Sequence, residues 1–205
     1  ETTCNAIASA KPYKAVPPWS IPRELWNASL NHEQHDQYAT HDFYNLAAKL
    51  CLLIRKLNRT PGVWHLSLGI PIDKANGKTG CASMRLVHLL DPFGKAYYGG
   101  LWNSISKCFG SHCFGFTRNH RREEAVLIIR LALWRLTQLN LSWLAAFYDI
   151  SNAFPSLSQS SIEQELRLLE SEAILPLFLQ RLYESALVIA DEIQGERWWR
   201  IGSGT

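Results

Sequence analysis

The chain has 205 residues, 47% of them hydrophobic and 19% charged, with eight Trp and eight Phe. That apolar content is ordinary for a globular protein and excludes disorder as a global state. The formal net charge is only +3, below the level that marks a nucleic-acid binder by itself.

The distribution of charge carries more than its total. Residues 1–122 hold 15 Lys and Arg against 7 Asp and Glu, +8, while residues 123–205 hold 6 against 11, −5. A basic front and an acidic back suit a protein that grips phosphates with one part and faces metals or solvent with the other. Chance clustering is the bland alternative. The longest apolar stretch, Ala125 to Leu133, is interrupted by Arg130, so no run is long enough to cross a bilayer. No signal-peptide pattern is present, and an intracellular protein is expected. The five cysteines (Cys4, Cys51, Cys81, Cys108, Cys113) are odd in number and scattered, which reads as reduced thiols. Cys108, His112, Cys113 and His120 have zinc-ligand chemistry, but their spacing fits no standard finger. Three Asn-x-Ser/Thr matches begin at Asn27, Asn58 and Asn140 and carry no weight without secretion. The first residue is Glu1, the only Met is Met84, and the last residues are Gly202-Ser-Gly-Thr205, so a piece of a longer reading frame is expected.

In chain order, residues 1–20 are rich in Ala, Pro and Lys and read as an extended lead-in. Ile21 to Ala28 reads as a short helix with Pro22 in its first turn. His41 to Leu57 is an amphipathic helix: Phe43, Leu46, Ala47, Leu50, Leu53, Ile54 and Leu57 recur at helical spacing, and Lys49, Arg55 and Lys56 face outward. Asn58 to Gly62 breaks it. Val63 to Ile72 reads as a strand, Asn76-Gly77 as a tight turn, and Ala82 to Leu90 as the returning strand. Asp91-Pro92 starts a helix that runs to about Ser106, since Asp caps and Pro fits the first turn. Ser106 to Arg118 is a loop, and Asn119 to Leu139 a long, largely buried helix. Ser142 to Asp149 reads as a buried strand. Helices are expected at Ser158–Glu170 and Ile174–Ala190, and a strand from Arg197. Mixed helices and strands make the fold class α+β.

The most informative segment is Trp143-Leu-Ala-Ala-Phe-Tyr-Asp149-Ile-Ser-Asn-Ala-Phe154. It reads as an apolar strand that delivers Asp149 to its end. A buried acid there needs partners or a metal, and hard divalent cations take carboxylate and carbonyl oxygens. Two such ions clamp the oxygens of a phosphoryl transfer. A helix N-terminal acid held by the dipole is the plainer reading. The second segment is Lys74 with Arg85-Leu-Val-His-Leu-Leu-Asp91-Pro-Phe-Gly-Lys95, a hairpin with basic residues near its tip and a helix start behind it. It can fold over phosphates, or it is solvated surface charge. Third, Phe114-Gly115-Phe116 with Arg118, Arg121 and Arg122 interleaves aromatics and cations, which suits a template-contacting loop. The aromatics alternatively belong to a core.

Phe147-Tyr-Asp149-Ile-Ser-Asn-Ala-Phe154 resembles the first palm motif of reverse transcriptases, particularly those of non-LTR retrotransposons. Arg85, Val87, Leu89 and Lys95 are similar to that family's Arg-x-Ile-x-Leu fingers motif, with Val87 in place of Ile. Phe114-Gly-Phe116 with its arginines resembles the third motif. The order and spacing of these short matches carry the resemblance from about Lys11 onward. It implies an α+β fold comprising the fingers and the beginning of the palm of a right-hand polymerase, incomplete at its end. The segments would be an N-terminal lead-in at 1–60, fingers at 61–140 and the start of the palm at 141–205.

The implied activity is RNA-directed DNA synthesis. Partners would be template RNA, a DNA primer, dNTP and the rest of the polymerase domain downstream, with no membrane. Asp149 and the carbonyl of Ile150 would ligate Mg²⁺ or Mn²⁺, Asp149 as the catalytic acid. Phe154 would be the steric gate against a ribose 2′-hydroxyl, which argues against an RNA-dependent RNA polymerase. Arg85, Lys74 and Lys95 would contact phosphates of nucleotide or template, and Arg118, Arg121 and Arg122 the nucleic acid. Pro155 departs from the family, which has an acid there. The resemblance places two further acids and a Gln-Gly motif beyond Thr205, so these 205 residues alone are expected not to polymerise. A decayed copy that only binds nucleic acid is the other reading.

Overall fold

A computed structural model describes residues 2–9, 11–30, 37–74, 77, 80–105, 113–115, 120–149, 157–168, 172–191 and 195–200; within it the side chains of 2, 37–43, 81–82, 190–191 and 195–200 are outside the description. The chain divides into two compact units, residues 1–105 with 157–205, and residues 106–156. The fold class is α+β.

In the first unit the order is α1 (Thr2–Ala8), α2 (Arg23–Leu30), α3 (Gln37–Leu57), β1 (Leu66–Asp73), β2 (Met84–Leu90) and α4 (Pro92–Ser104). After the second unit come α6 (Gln159–Arg167), α7 (Leu175–Glu184), β3 (Ala186–Asp191) and β4 (Gly195–Arg200). The second unit contributes α5 (Arg122–Gln138).

Local chemistry sets several boundaries. Asp91 caps α4: its carboxylate accepts from the Gly94 amide at 2.8 Å, and Pro92 occupies the first turn, where a missing N–H costs nothing. Ser158 caps α6 in the same way, accepting from the Ser161 amide at 3.1 Å. Two helices end on asparagine in the left-handed region, Asn58 (φ 49°) after α3 and Asn140 (φ 52°) after α5. Each lets the next amide reach back five residues, Arg59 to the Ile54 carbonyl at 3.3 Å and Leu141 to the Leu136 carbonyl at 3.0 Å. Asparagine is the commonest substitute for glycine there.

The strands form one mixed sheet in the order β2-β1-β3-β4. The β1–β2 hairpin is antiparallel, with Ser67 opposite Leu90 and Asp73 opposite Met84. β3 runs parallel to β1 but pairs only with Leu66 to Gly69. Beyond Gly69 the hairpin is therefore two-stranded, and Pro71, which has no N–H to give, sits where one edge of β1 has no partner strand among the described residues. At Gly69 the sheet is tight: an added Cβ would lie 2.9 Å from Leu187 and 3.1 Å from Leu86.

The core lies under the helices. Cys4 and Ile7 of α1, Leu30 of α2, Ala47 and Ile54 of α3, Trp64, and Phe93, Tyr97, Tyr98 and Leu101 of α4 are buried together with Leu177 of α7. Aromatic rings link these elements. Phe93 stands 4.8 Å from Trp26 and 5.5 Å from Trp64, and Phe178 of α7 stands 5.9 Å from Tyr98. Such pairs add to simple area burial.

Several expectations are corrected. Residues 2–8 are helical rather than an extended lead-in, because Cys4 and Ile7 bury one face of α1 against α4. The strand expected from Val63 begins at Leu66, since Gly62–His65 coils into a 3₁₀ turn that buries Trp64 and His65. The helix expected over Ile174–Ala190 stops at Glu184, and Ala186–Asp191 is β3. Its run Ala186-Leu-Val-Ile-Ala190 is β-favouring, and pairing with β1 and β4 decides it. Among the described side chains of the expected α3 face, Ala47 and Ile54 are fully buried, while Leu46, Leu53 and Leu57 are exposed.

In the second unit, α5 was expected to be largely buried; none of its residues is. Residues 142–149 were expected as a buried strand; they carry no regular structure, and Leu144, Phe147 and Tyr148 are more than four-fifths exposed. An apolar run becomes a strand only when a neighbour takes its backbone hydrogen bonds, and no described strand pairs with this one.

Candidate nucleotide and nucleic-acid contacts

The basic hairpin is the better formed of the two candidate regions. Arg85 lies on β2 opposite Ile72, on the two-stranded part of the hairpin, and is exposed. Val87 and Leu89 share its face by the period of two, and both are half-buried. That one face thus runs from half-buried apolar residues near the root to an exposed cation near the tip. Lys74 closes the hairpin, its amide donating to the Ser83 carbonyl at 2.7 Å, and its side chain is exposed. Gly77 (φ 70°) and Gly80 (φ 71°) lie in the connection, with backbone angles that favour glycine. Lys95 is exposed on the first turn of α4, where the Asp91 cap fixes the helix start directly behind β2. Among the described residues, neither Arg85 nor Lys74 nor Lys95 forms an ion pair.

The root of this hairpin is held by a buried polar cluster that the sequence did not signal. The Thr60 hydroxyl lies 2.9 Å from His65 Nε2, 2.8 Å from Tyr98 OH and 3.1 Å from Gln180 Oε1. Gln180 also clasps the Thr60 backbone: its Oε1 accepts from the amide at 2.8 Å, and its Nε2 donates to the carbonyl at 3.3 Å. The same Nε2 donates to Glu184 at 2.8 Å. Tyr98 OH further donates to the Leu177 carbonyl at 3.2 Å, and the Arg181 guanidinium stacks over the Tyr98 ring at 4.5 Å. His65 immediately precedes β1 and Ser185 immediately precedes β3, and Leu66 is the residue that pairs with Ala186. The cluster therefore fixes the point at which the parallel pair begins. Burial pushes the His65 imidazole below its usual pKa, partly offset by Glu184 at 4.0 Å. Burial likewise raises the Tyr98 phenol. Partners 120 residues apart leave no short-range pattern, which is why sequence reading missed them.

The second unit holds the acid. Asp149 is exposed at the end of 141–149, without the strand expected to position it. Arg121 stands just before α5 in extended conformation, with no side-chain cap, and is exposed. Arg122 is also exposed and pairs with Glu123 at 3.5 Å, a surface contact of small energetic weight. Glu123 and Glu124 occupy the first turn of α5, where the dipole favours acids, and Glu124 lies 3.5 Å from His120. Phe114 meets the His120 ring edge-on at 5.3 Å. Ile150, Phe154 and Arg118, expected as metal ligand, steric gate and nucleic-acid contact, lie outside the described residues.

As for a metal, the described residues bring no three His, Cys, Asp or Glu side chains together. Asp149 by itself is a single carboxylate and does not constitute a divalent-cation site. No described helix is long and apolar enough to cross a membrane. Cys4, Cys51 and Cys113 form no disulfide among the described residues. The chain matches no protein-family model and no curated protein.

Proposed function

We propose that the chain carries the fingers and the beginning of the palm of an RNA-directed DNA polymerase of the non-LTR retrotransposon type. The carrying observation is the two-stranded projection with Arg85 and Lys74 exposed toward its tip and Lys95 on the capped helix behind it. That arrangement supports a triphosphate-contacting role, because a guanidinium on a rigid strand meets phosphate oxygens in bidentate fashion while two ammonium groups add charge. In this reading the primer 3′-hydroxyl attacks the α-phosphate of a dNTP paired to template RNA, and pyrophosphate leaves. The chain's own part is to grip and orient the phosphates. Asp149 is the one acid it offers to the catalytic centre, and the described residues do not complete a metal site, so no metal-dependent step is derived from them.

A second reading is a nucleic-acid-binding remnant without catalysis. The exposed segment 141–149, which pairs with no described strand, favours it, since a catalytic carboxylate needs a rigid support.

Displacement of a fluorescent deoxynucleoside triphosphate tests the grip. Arg85→Ala should weaken triphosphate binding by about tenfold or more, as expected from losing charge-assisted hydrogen bonds of ~1.5–3 kcal/mol. Arg122→Ala should leave triphosphate binding unchanged. Equal affinities for wild type and Arg85→Ala would return the hairpin to plain surface charge.

A further inference from the structure

Helix α3 presents an apolar seam that the described residues of its own unit leave open. Leu46, Leu50, Leu53 and Leu57 follow at steps of four, three and four residues, the spacing of a coiled-coil seam. Leu46, Leu53 and Leu57 are 64%, 51% and 62% exposed, and Leu50 is half-buried at the edge of the core. At about 100° per residue the seam covers roughly 60° of the helix, and the buried face of Ala47 and Ile54 lies beside it. Along its other flank stand Lys49 and Lys56, one turn-pair apart and both exposed, with Arg55 beyond. Residues 43–57 contain no acid.

We propose that this seam docks an acidic amphipathic helix of a partner protein, its leucines entering the α3 seam and its flanking carboxylates meeting Lys49 and Lys56. Charge selects this occupant. A second copy packed antiparallel would set lysine against lysine, and one packed parallel would set each lysine against Ala47 or Ile54, which its own core already holds. A lipid surface needs an apolar face of about 100° or more between two polar flanks. Here the strip is narrower, and one of its edges is the protein's own interior. Polynucleotide would satisfy the cations and leave the leucines in water. The proposal is independent of the polymerase reading, since it uses no residue of the basic hairpin or of Asp149.

The test uses the 205-residue chain and labelled three-heptad peptides read by fluorescence anisotropy. One peptide has Leu at both seam positions and Glu on the flanks, the second has Lys on the flanks, and the third keeps Glu but has Ser in the seam. The Glu-flanked leucine peptide should bind at least tenfold more tightly than either of the others. Leu53→Asp should lower that affinity at least tenfold, and the double change Lys49→Glu with Lys56→Glu should invert the preference between Glu and Lys flanks. Absence of binding, equal binding of the Lys-flanked peptide, or no effect of Leu53→Asp overturns the proposal. So does a seam satisfied otherwise: sedimentation as a dimer, or pelleting with phosphatidylserine vesicles, that Leu53→Asp abolishes. The peptide comparison on the unmodified chain decides the matter even where a variant folds poorly.

Discussion

Replacing Thr60 by Val tests the cluster at the root of the sheet. The substitution keeps the β-branched shape and removes one hydroxyl, which is 4% exposed as part of its residue and touches three polar side chains. Gln180 keeps its two bonds to the Thr60 backbone, and Tyr98 keeps the Leu177 carbonyl. His65 has no such reserve: among the described residues its Nδ1 has no hydrogen-bond partner, so the change leaves neither buried ring nitrogen with a hydrogen bond, and Nε2 keeps only Glu184 at 4.0 Å. One lost hydrogen bond of ~1 kcal/mol and one orphaned buried group of ~1–3 kcal/mol give a loss of about 2–4 kcal/mol. For a chain of this length that is a fall in Tm of roughly 4–16 °C. Tyr98→Phe, which leaves Thr60 with His65 and Gln180, should cost about 1 kcal/mol. Urea unfolding followed by tryptophan fluorescence measures both, with the midpoint moving and the slope constant. A Thr60→Val chain within ~0.5 kcal/mol of wild type would show that the cluster contributes shape rather than bonding.

The same histidine makes stability depend on pH. Burial lowers its folded pKa beneath the unfolded value, so below about 6.5 the unfolded chain binds the extra proton and stability falls as pH drops toward the folded pKa. Glu184 opposes that loss, while Arg181 and Arg59 add to it. The slope it contributes is at most ~1.4 kcal/mol per pH unit, and His65→Gln should remove it from urea midpoints taken between about pH 8 and 5; an unchanged profile would assign the dependence to other groups. Gly94→Ala should destabilise by ~1–3 kcal/mol, because the new Cβ would lie 2.7 Å from Cγ and 2.9 Å from Cβ of the buried Trp64, neither of them a flexible end. Thermal unfolding by circular dichroism reads it, and a neutral result would mean that the 3₁₀ turn carrying Trp64 can shift.

How far the sequence reached can be followed element by element. The Asp91-Pro92 start of α4, the Asn58 stop of α3 and the β1–β2 hairpin were legible because each depends on neighbours in the chain. Caps, turns and period-two patterns are short-range physics. The exposure of Arg85, Lys74 and Lys95 was legible for the same reason: charged side chains at a hairpin tip and on a first helical turn have nowhere drier to go. Where the reading failed, the deciding partner was distant. Ala186–Asp191 is apolar enough to continue α7, and it became β3 because β1 and β4 take its hydrogen bonds. Trp143 to Asp149 has an equally strand-like run, and it stays irregular because no described strand accepts it.

The sequence by itself therefore determined the α+β class, the starts of α4, α6 and α7, the basic tip and the uneven charge, all of which rest on composition or on contacts within a few residues. Only the tertiary structure decided which apolar residues of α3 are buried, that the hairpin outruns β3 beyond Gly69, and that Thr60, His65, Tyr98 and Gln180 meet. A side chain's burial and a strand's partner are set by segments up to 120 residues away, and local pattern holds no record of them.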